Sequence, residues 1–343
     1  MITRLFLIIS VLLGCQAAPP FHYTGPKLKG VNLVAPPRQP DSTALAPVRT
    51  MKGDWVAIVP YGFCRKGDPH FFFSENRPKE KRNFGQWWGE TPAGVAGTVQ
   101  MARMQGLKTM LKPHVWMQGG SHLDLEFSTD SDWQTFEHDY AQYILYFAKV
   151  ADSLNVDLYC ITTELDRFAI ARPQFWSTLI GQVKKVYKGK LTYAANWDRY
   201  EKIPFWSQLD YVGVDAYFPL SDAREPSVRN LTKGWKQHLK PLQETSDRYQ
   251  KPILFTEFGY RSCDHTARRP WESETDCVPN ETAQTNAYAA LLEAVWPQPW
   301  FAGGFAWKWF METDVHHRER DQYSPQGKPA QAILTKNWGI TAN

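Results

Sequence analysis

Two glutamates stand at the ends of apolar, strand-like runs in this chain. Glu164 follows the run 161–163, and Glu257 lies in the run 253–260. Parallel strands that end at one face of a fold would bring these two carboxyl groups together. One carboxyl could then protonate a leaving oxygen while the other supports positive charge at the carbon that loses it. This combination is the chemistry that cleavage of a glycosidic bond requires.

The composition indicates one large α/β domain. The chain has 343 residues, of which 43% are hydrophobic, enough for one large core but too few for three ordinary domains. The chain has 39 lysines and arginines against 35 aspartates and glutamates. This near balance predicts no strongly positive surface for binding nucleic acid. The 15 tryptophans and 15 tyrosines belong mostly to the core, but aromatic faces also stack on sugar rings.

From residue 28 onward, the segments that must position the glutamates follow one repeating pattern. A short run rich in apolar and β-branched residues is followed by a longer stretch with helical spacing. The predicted helices span 91–105, 131–154, 173–187, 231–249 and 282–296, the first with Thr91 as N-cap, Pro92 after it and Gly106 at its end. The predicted strands are 28–34, 54–64, 107–116, 157–166, 190–197, 209–219, 252–260 and 301–309.

Alternating strands and helices predict parallel pairing with right-handed crossovers, and eight such units close into a single-domain (β/α)8 TIM barrel. A doubly wound open sheet is the alternative. It is disfavoured because no Gly-x-Gly-x-x-Gly follows the first strand and because both glutamates fall at carboxyl ends of strands, where barrel active sites lie. The polar stretches 65–88 and 261–280 are then long loops that shape a cleft over this face.

Alternation along the strands gives a second test of which residues reach the barrel centre. Lys112, His114 and Trp116 share one face of their predicted strand, and the apolar residues between them share the other. Each polar residue alone could be a hydrogen-bonded residue of the core. A purely structural barrel would rarely contain many of them, because a buried charge is costly unless it is paired. The predicted ring contains Lys112, His114, Trp116, Glu164, Asn196, Asp215, Tyr217, Glu257 and Trp307.

The N-terminus has the pattern of an export signal. A basic start is followed by an apolar run from Leu5 to Leu13 that is too short to cross a bilayer. Leu12-Leu13-Gly14-Cys15 resembles a bacterial lipoprotein signal, and the alternative is a coincidental cysteine in an ordinary signal peptide. We therefore expect a signal peptide at 1–14, lipidation of Cys15, a linker at 15–27 and the barrel at 28–343. Because Gln16 is not an aspartate, we expect the outer membrane, on its periplasmic or surface face.

Four cysteines remain after Cys15, in a compartment that permits disulfides. Cys263 and Cys277 lie in one polar loop, and we expect them to pair. The state of Cys64 and Cys160 stays open, and neither pair has metal-ligand spacing such as Cys-x-x-Cys.

The order of these residues resembles clan A of the retaining glycoside hydrolases, and more narrowly glycoside hydrolase family 113. Glu164 ends the fourth strand, Glu257 ends the seventh, Tyr217 follows the sixth, and Trp307 lies on the eighth. The segments that carry the narrower resemblance are KGVNL (29–33), MLKPHVW (110–116), TEL (163–165), FTEFGY (255–260) and SPQGKPA (324–330), and the resemblance spans nearly all of the mature chain.

This resemblance implies a β-mannanase that cleaves β-1,4-linked mannan or manno-oligosaccharides by double displacement. Glu164 would be the acid/base, Glu257 the nucleophile, Tyr217 its hydrogen-bond partner and Trp307 the floor of the reacting subsite. No cofactor and no metal is implied, the partner is an oligo- or polysaccharide, and the membrane is reached through the lipid anchor alone. We expect a monomer, and carboxyl groups about 5–5.5 Å apart if configuration is retained.

One departure concerns the residue before Glu164. Most clan A members have an asparagine there to bind the substrate 2-hydroxyl, whereas this chain has Thr163. The substitution fits family 113, and Asn196 is a candidate for the 2-hydroxyl. Two other functions stay open: a clan A β-glycosidase that acts on another β-linked glycan, and a glycan-binding lipoprotein without catalysis.

Overall fold

The computed structural model describes residues 19–75, 87–273, 276–311 and 321–340. The predicted signal peptide and Cys15 lie outside these described residues. The described strands are β1 (Leu28–Val34), β2 (Trp55–Ile58), β3 (Tyr61–Arg65), β4 (Lys108–Leu111), β5 (His114–Gln118), β6 (Leu158–Thr163), β7 (Lys190–Asn196), β8 (Val212–Asp215), β9 (Ile253–Phe258) and β10 (Phe301–Phe310). The described helices are α1 (Ala46–Thr50), α2 (Pro92–Met104), α3 (Asp130–Ser153), α4 (Asp166–Ala171), α5 (Pro173–Val186), α6 (Val228–Tyr249), α7 (Glu281–Ala294) and α8 (Pro329–Trp338).

Eight of these strands form a closed parallel barrel in the order β1-β10-β9-β8-β7-β6-β4-β2. The register places Asp215 of β8 beside Glu257 of β9. β1 pairs with both β10 and β2 and so closes the sheet. The prediction of a (β/α)8 TIM barrel is confirmed.

The helices begin where the sequence provides caps. The Thr91 side chain accepts a hydrogen bond from the backbone N–H of Gly94 at the start of α2, and the Asn280 side chain accepts one from Ala283 at the start of α7. The apolar stripe of α3 buries Phe136 and Tyr140 against Phe168 of α4. Burial of large aromatic faces in this layer contributes much of the hydrophobic stabilisation of the barrel wall.

Two predicted strands are each divided in the structure. The run 54–64 contains β2 and β3, and the run 107–116 contains β4 and the start of β5. β3 and β5 form a separate two-stranded parallel sheet. Pro60 and Pro113 lie at the two breaks, and proline has no N–H for a sheet ladder. The prediction that one continuous strand face carries Lys112, His114 and Trp116 is therefore wrong, because only Lys112 stays beside the barrel.

The two glutamates and the N-terminal segment lie at opposite ends of the barrel. Glu164 follows β6, and Glu257 lies near the carboxyl end of β9. The N-terminal segment runs along the other end, where the backbone N–H of Phe21 donates to Asp247 and that of Tyr23 donates to the carbonyl of Pro299. None of the described helices is long and apolar enough to span a bilayer.

The loop after β9 is closed by a disulfide bond. Cys263 and Cys277 are bonded, with their Cα atoms 5.4 Å apart. Cys64 and Cys160 are buried free thiols.

Candidate active site

Glu257 lies at the carboxyl end of β9 and is 5% exposed. Its Oε1 accepts a hydrogen bond from Lys112 Nζ, and its Oε2 accepts one from the Tyr217 hydroxyl at 2.7 Å. Both carboxylate oxygens are therefore fixed by donors from two other parts of the barrel. An oriented carboxylate with one charged and one neutral donor can act as a positioned nucleophile.

Lys112 follows β4 and has no exposed surface. Burial opposes its positive charge, but Glu257 and Asp215 outweigh this effect and raise the pKa of the Lys112 ammonium. The raised pKa favours the charged form of the lysine beside Glu257. Its Nζ also lies 5.5 Å from the centre of the Trp307 ring, within range of a cation–π interaction.

Glu164 has a left-handed backbone conformation with φ of 53°, which is uncommon outside glycine. Its backbone N–H donates to the carbonyl of Ala194 at 2.7 Å and holds this conformation at the end of β6. Strained backbone of this kind is concentrated at functional sites, where the surrounding structure keeps it in place. Burial raises the pKa of the Glu164 carboxyl well above its usual range, and the charges of Glu257 and Asp166 raise it further.

Asp166 and His122 lie beside Glu164, and neither was among the predicted site residues. Asp166 accepts hydrogen bonds from the Tyr193 hydroxyl at 2.7 Å and from the Asn196 backbone N–H at 2.8 Å. Burial raises the pKa of Asp166 to about 6. His122 Nε2 lies 3.4 Å from Glu164 Oε2, and burial lowers the pKa of His122 to about 4, so the imidazole is neutral at pH 7.

Asp215 lies beside Glu257 in the register of β8 and β9 and has no exposed surface. Its Oδ1 accepts a hydrogen bond from the Thr256 hydroxyl at 2.7 Å. Burial raises the pKa of the Asp215 carboxyl well above its usual range, and the neighbouring charge of Glu257 adds to this effect. The substrate contact predicted for Asp215 stays a prediction, and in this structure the side chain is fully buried beside Glu257. The same holds for Lys112, which contacts Glu257.

Trp307 lies on β10 and is partly exposed at the mouth of the barrel. Gly259 makes room for it, since a Cβ atom at that position would stand 2.6 Å from the Trp307 carbonyl oxygen. The Trp307–Lys308 peptide bond is cis. The indole borders the site beside Lys112, whose Nζ lies 5.5 Å from the ring centre.

The remaining predicted site residues lie at greater depth or farther out. His114 is buried in the small second sheet, stacked on Tyr61 with ring centres 5.0 Å apart and edge-on to His122 at 4.8 Å. Trp116 projects from the same sheet and is 61% exposed. Asn196 lines a side cleft next to Glu164. The structure thus gathers Lys112, Glu164, Tyr217, Glu257 and Trp307 in one centre and places the others around it.

Sequence reasoning missed four residues that the structure places near Glu164, namely His122, Asp166, Trp197 and Trp271. Asp166 stands two residues after Glu164 and Trp197 directly follows Asn196, so chain proximity could have indicated both. Nothing in the local pattern indicates His122 or Trp271. They reach the site because the segments after β5 and β9 fold back over the barrel end.

Comparisons with known proteins agree with this geometry. The model of Glycoside Hydrolase Family 113 matches residues 75–328. The GH113 β-mannanase AaManA from Alicyclobacillus acidocaldarius, solved in complex with ManMIm, is 22% identical with a TM-score of 0.77, over 92% of this chain and 98% of that one. A GH113 β-1,4-mannanase complex is 21% identical with a TM-score of 0.76, over 92% and 99% of the two chains. A β-glucuronidase from Faecalibacterium prausnitzii is 12% identical with a TM-score of 0.55, over 94% of this chain and 49% of that one.

A comparison with curated proteins found no match. The family model covers more than half of the chain, including the segments that carry both glutamates, Lys112 and Tyr217. The structural likeness lies below 25% identity and supports the fold alone. The chain therefore belongs to Glycoside Hydrolase Family 113, and it is a glycoside hydrolase of clan A.

Proposed function

We propose that this protein is a retaining β-mannanase that hydrolyses β-1,4 linkages in mannan or manno-oligosaccharides. One observation carries the mechanism: Glu257 is held by Lys112 and Tyr217, while burial raises the pKa of the neighbouring Glu164 carboxyl. The two carboxyl groups therefore have different surroundings, as double displacement needs for an acid and a nucleophile.

In the first step, a Glu257 carboxylate oxygen attacks the anomeric carbon, and the bond from that carbon to the leaving oxygen breaks. Glu164 donates its proton to the leaving oxygen, so the departing chain leaves as a neutral alcohol. Glu257 is now esterified to the sugar, and Glu164 is ionised. The Tyr217 hydroxyl and the Lys112 ammonium hold the carboxyl group that becomes the ester in position.

In the second step, Glu164 takes a proton from a water molecule as that water attacks the anomeric carbon. The ester bond breaks, Glu257 returns as a carboxylate, and Glu164 is protonated again. Attack occurs once on each face of the sugar, so the product keeps the β configuration. Trp307 forms the wall against which the reacting ring stacks.

Mannose as the sugar is proposed from the motif resemblance and from the names of the two GH113 relatives, because a barrel with two carboxylates does not encode the configuration at C2. The deciding experiment incubates the purified protein with mannan, glucomannan, cellulose and xylan and identifies shorter products. Release from mannan and glucomannan alone supports the proposal. Release from cellulose or xylan instead would identify a clan A enzyme for another β-linked glycan, and no release from any glycan would favour a non-catalytic binding protein.

Replacement of Glu164 by glutamine separates the acid role from the nucleophile. We expect Glu164→Gln to lower kcat on manno-oligosaccharides by about 10²–10⁴-fold, the usual contribution of a general acid. The first step with β-mannobiosyl fluoride should persist, because fluoride leaves without a proton. Equal losses of the first-step rate on both substrates, measured in a stopped-flow instrument, would contradict the acid role.

The same variant has an expected effect on stability. The pKa of Glu164 is raised on folding, so its stabilising contribution is complete below its ordinary value of 4.5 and is lost as the pH rises through the higher native value. Glutamine cannot ionise, so Glu164→Gln should unfold at a higher temperature than the wild type at pH 7. The difference should shrink towards pH 4 in circular-dichroism melts, and an unchanged or larger difference at pH 4 would contradict the assignment.

We also propose that the protein is an exported lipoprotein of the outer membrane, anchored through Cys15. The sequence of residues 1–15 supports this proposal, and the position of residues 19–27 agrees with it. Phe21 and Tyr23 are bound to the end of the barrel opposite Glu164 and Glu257. A lipid at Cys15 would thus leave the carboxyl-terminal face of the barrel open to glycans.

Cys15→Ser tests the anchor. We expect the variant to move from the membrane fraction to the soluble fraction of the exporting cell and to lose incorporation of radiolabelled palmitate. Its kcat on manno-oligosaccharides should stay within about twofold of the wild type, since Cys15 precedes the bound segment. Palmitate labelling that persists in Cys15→Ser would contradict the proposal.

A further inference from the structure

A second aromatic surface borders the proposed reaction centre. A cleft of about 250 Å³ runs from Glu164 past Asn196 to the indoles of Trp197 and Trp271. None of Lys112, Tyr217, Glu257 and Trp307 is among the residues that line it. The cleft therefore touches the proposed acid/base and leaves out the residues around the proposed nucleophile.

This position identifies the part of the substrate that the cleft can receive. The acid must lie within hydrogen-bond reach of the leaving oxygen, so the departing sugar lies on the side of Glu164. The reacting sugar lies between Glu257 and Glu164. A cleft that Glu164 lines and Glu257 does not is on the side of the acid, where the leaving group departs.

Trp271 and Trp197 form a stacked pair, with ring centres 5.2 Å apart and an interplanar angle of 24°. Trp197 is supported from behind by the edge of Phe218 at 5.8 Å. Trp271 is 42% exposed, and among the described tryptophans only Trp87 and Trp116 are comparably exposed. A supported indole with an exposed face is the surface on which the C–H face of a pyranose ring stacks.

The loop that carries Trp271 is fixed at several points. The Cys263–Cys277 disulfide closes it, and the Tyr323 hydroxyl donates to the carbonyl oxygens of Pro270 at 2.6 Å and Glu272 at 3.0 Å. These two residues flank Trp271. The Tyr323 ring also packs edge-on against Tyr217 at 6.3 Å, so the loop is braced against the residue that holds Glu257. A platform held in place before binding loses less entropy when a sugar arrives.

Polar groups around the cleft suit an uncharged, hydroxyl-rich ligand. Arg167 pairs with Asp124 at 3.1 Å, and both side chains stay about half exposed at the rim. Asn196 Oδ1 is buried and has no hydrogen-bond partner among the described residues, which leaves an acceptor for a hydroxyl group. Each positive charge at the rim is thus matched by a nearby negative one, as a neutral sugar requires.

We infer that Trp271, stacked on Trp197, forms a binding subsite for the sugar unit on the leaving-group side of the cleaved bond, with Asn196 as a hydroxyl acceptor. This inference rests on the proposed function. It moves Asn196 from the reacting sugar to its neighbour. It also gives the disulfide a role in substrate binding, since the bond holds the loop that presents Trp271.

The test compares two substrates that differ only in the leaving group. Mannotetraose leaves a sugar on the Trp271 side, whereas β-mannobiosyl fluoride leaves a fluoride ion that is too small to reach the indole. We expect Trp271→Ala to lower kcat/KM at least tenfold for mannotetraose and less than twofold for the fluoride. Trp271→Phe, which keeps a flat ring, should recover most of the loss.

Val278→Ala is the matched control, because Val278 lies in the same loop and is 59% exposed but does not line the cleft. It should keep both values within twofold of the wild type. Equal losses on both substrates in Trp271→Ala, or no loss on mannotetraose, would overturn the inference and leave the proposed function intact. A wild-type protein that cleaves neither substrate would overturn both.

Discussion

Glu257→Ala should lose hydrolysis of manno-oligosaccharides almost completely, with kcat lowered by about 10⁴-fold or more. The carboxylate that forms the glycosyl ester is removed, and catalytic groups that act as a unit show losses of this order when the nucleophile is deleted. Tyr217 and Lys112 would remain around an empty space next to the anomeric carbon. Product release measured by high-performance chromatography checks the loss.

Azide distinguishes a lost nucleophile from a misfolded protein. In Glu257→Ala, azide can enter the vacated space and attack the anomeric carbon of an activated aryl β-glycoside, which gives the α-glycosyl azide. In Glu164→Ala, the intact Glu257 forms the ester first, and azide then gives the β-glycosyl azide. The anomer is read by nuclear magnetic resonance. The opposite assignment of anomers would show that the two glutamates have exchanged roles.

Glu244→Ala is the matched control for the first prediction. Glu244 lies on the surface of α6, where its side chain is 60% exposed and pairs with Lys240 at 3.6 Å. An exposed pair of this kind contributes little to stability. The variant should therefore match the wild type in activity and in melting temperature. A large loss in Glu244→Ala would mean that removal of any glutamate impairs the protein, which would void the first result.

Lys112→Met should have the largest effect on stability, about 3–5 kcal/mol of the free energy of unfolding, because it leaves a buried carboxylate without its charged partner. Methionine keeps most of the volume of the lysine stem, so the loss reports the charge. Activity should also fall, by about 10²-fold or more, since Glu257 is then no longer held as an ionised nucleophile. Urea denaturation at pH 7 and steady-state kinetics measure the two effects.

A double variant separates the charge from the packing. Lys112→Met combined with Glu257→Gln removes both members of the buried pair, and its loss of stability should be smaller than that of Lys112→Met alone. The coupling of Lys112 to Glu257 is the loss of stability in the double variant minus the sum of the losses in Lys112→Met and in Glu257→Gln. If the loss of stability in the double variant equals the sum of the losses in the two single variants, the two residues act independently and the prediction is wrong.

The sequence by itself determined the elements and the face on which the glutamates lie. Strand and helix periodicity arise from local geometry, so alternation around Glu257 and the stripe along α3 could be read without any structure. The cap at Thr91 is equally local, and the structure has it as predicted. Closure of the barrel followed because eight parallel units have few other ways to bury both faces of a sheet.

The tertiary structure alone decided which groups touch. Lys112 and Glu257 are 145 residues apart in the chain, and only the closed order of the strands brings them into contact. The raised pKa of Glu164 results from burial and from the charge of Glu257 on another strand, which no local pattern contains. Trp271 likewise reaches Trp197 only through a loop fixed by a disulfide and by Tyr323. Contacts between distant segments depend on packing, and packing is a property of the whole chain rather than of any one stretch of it.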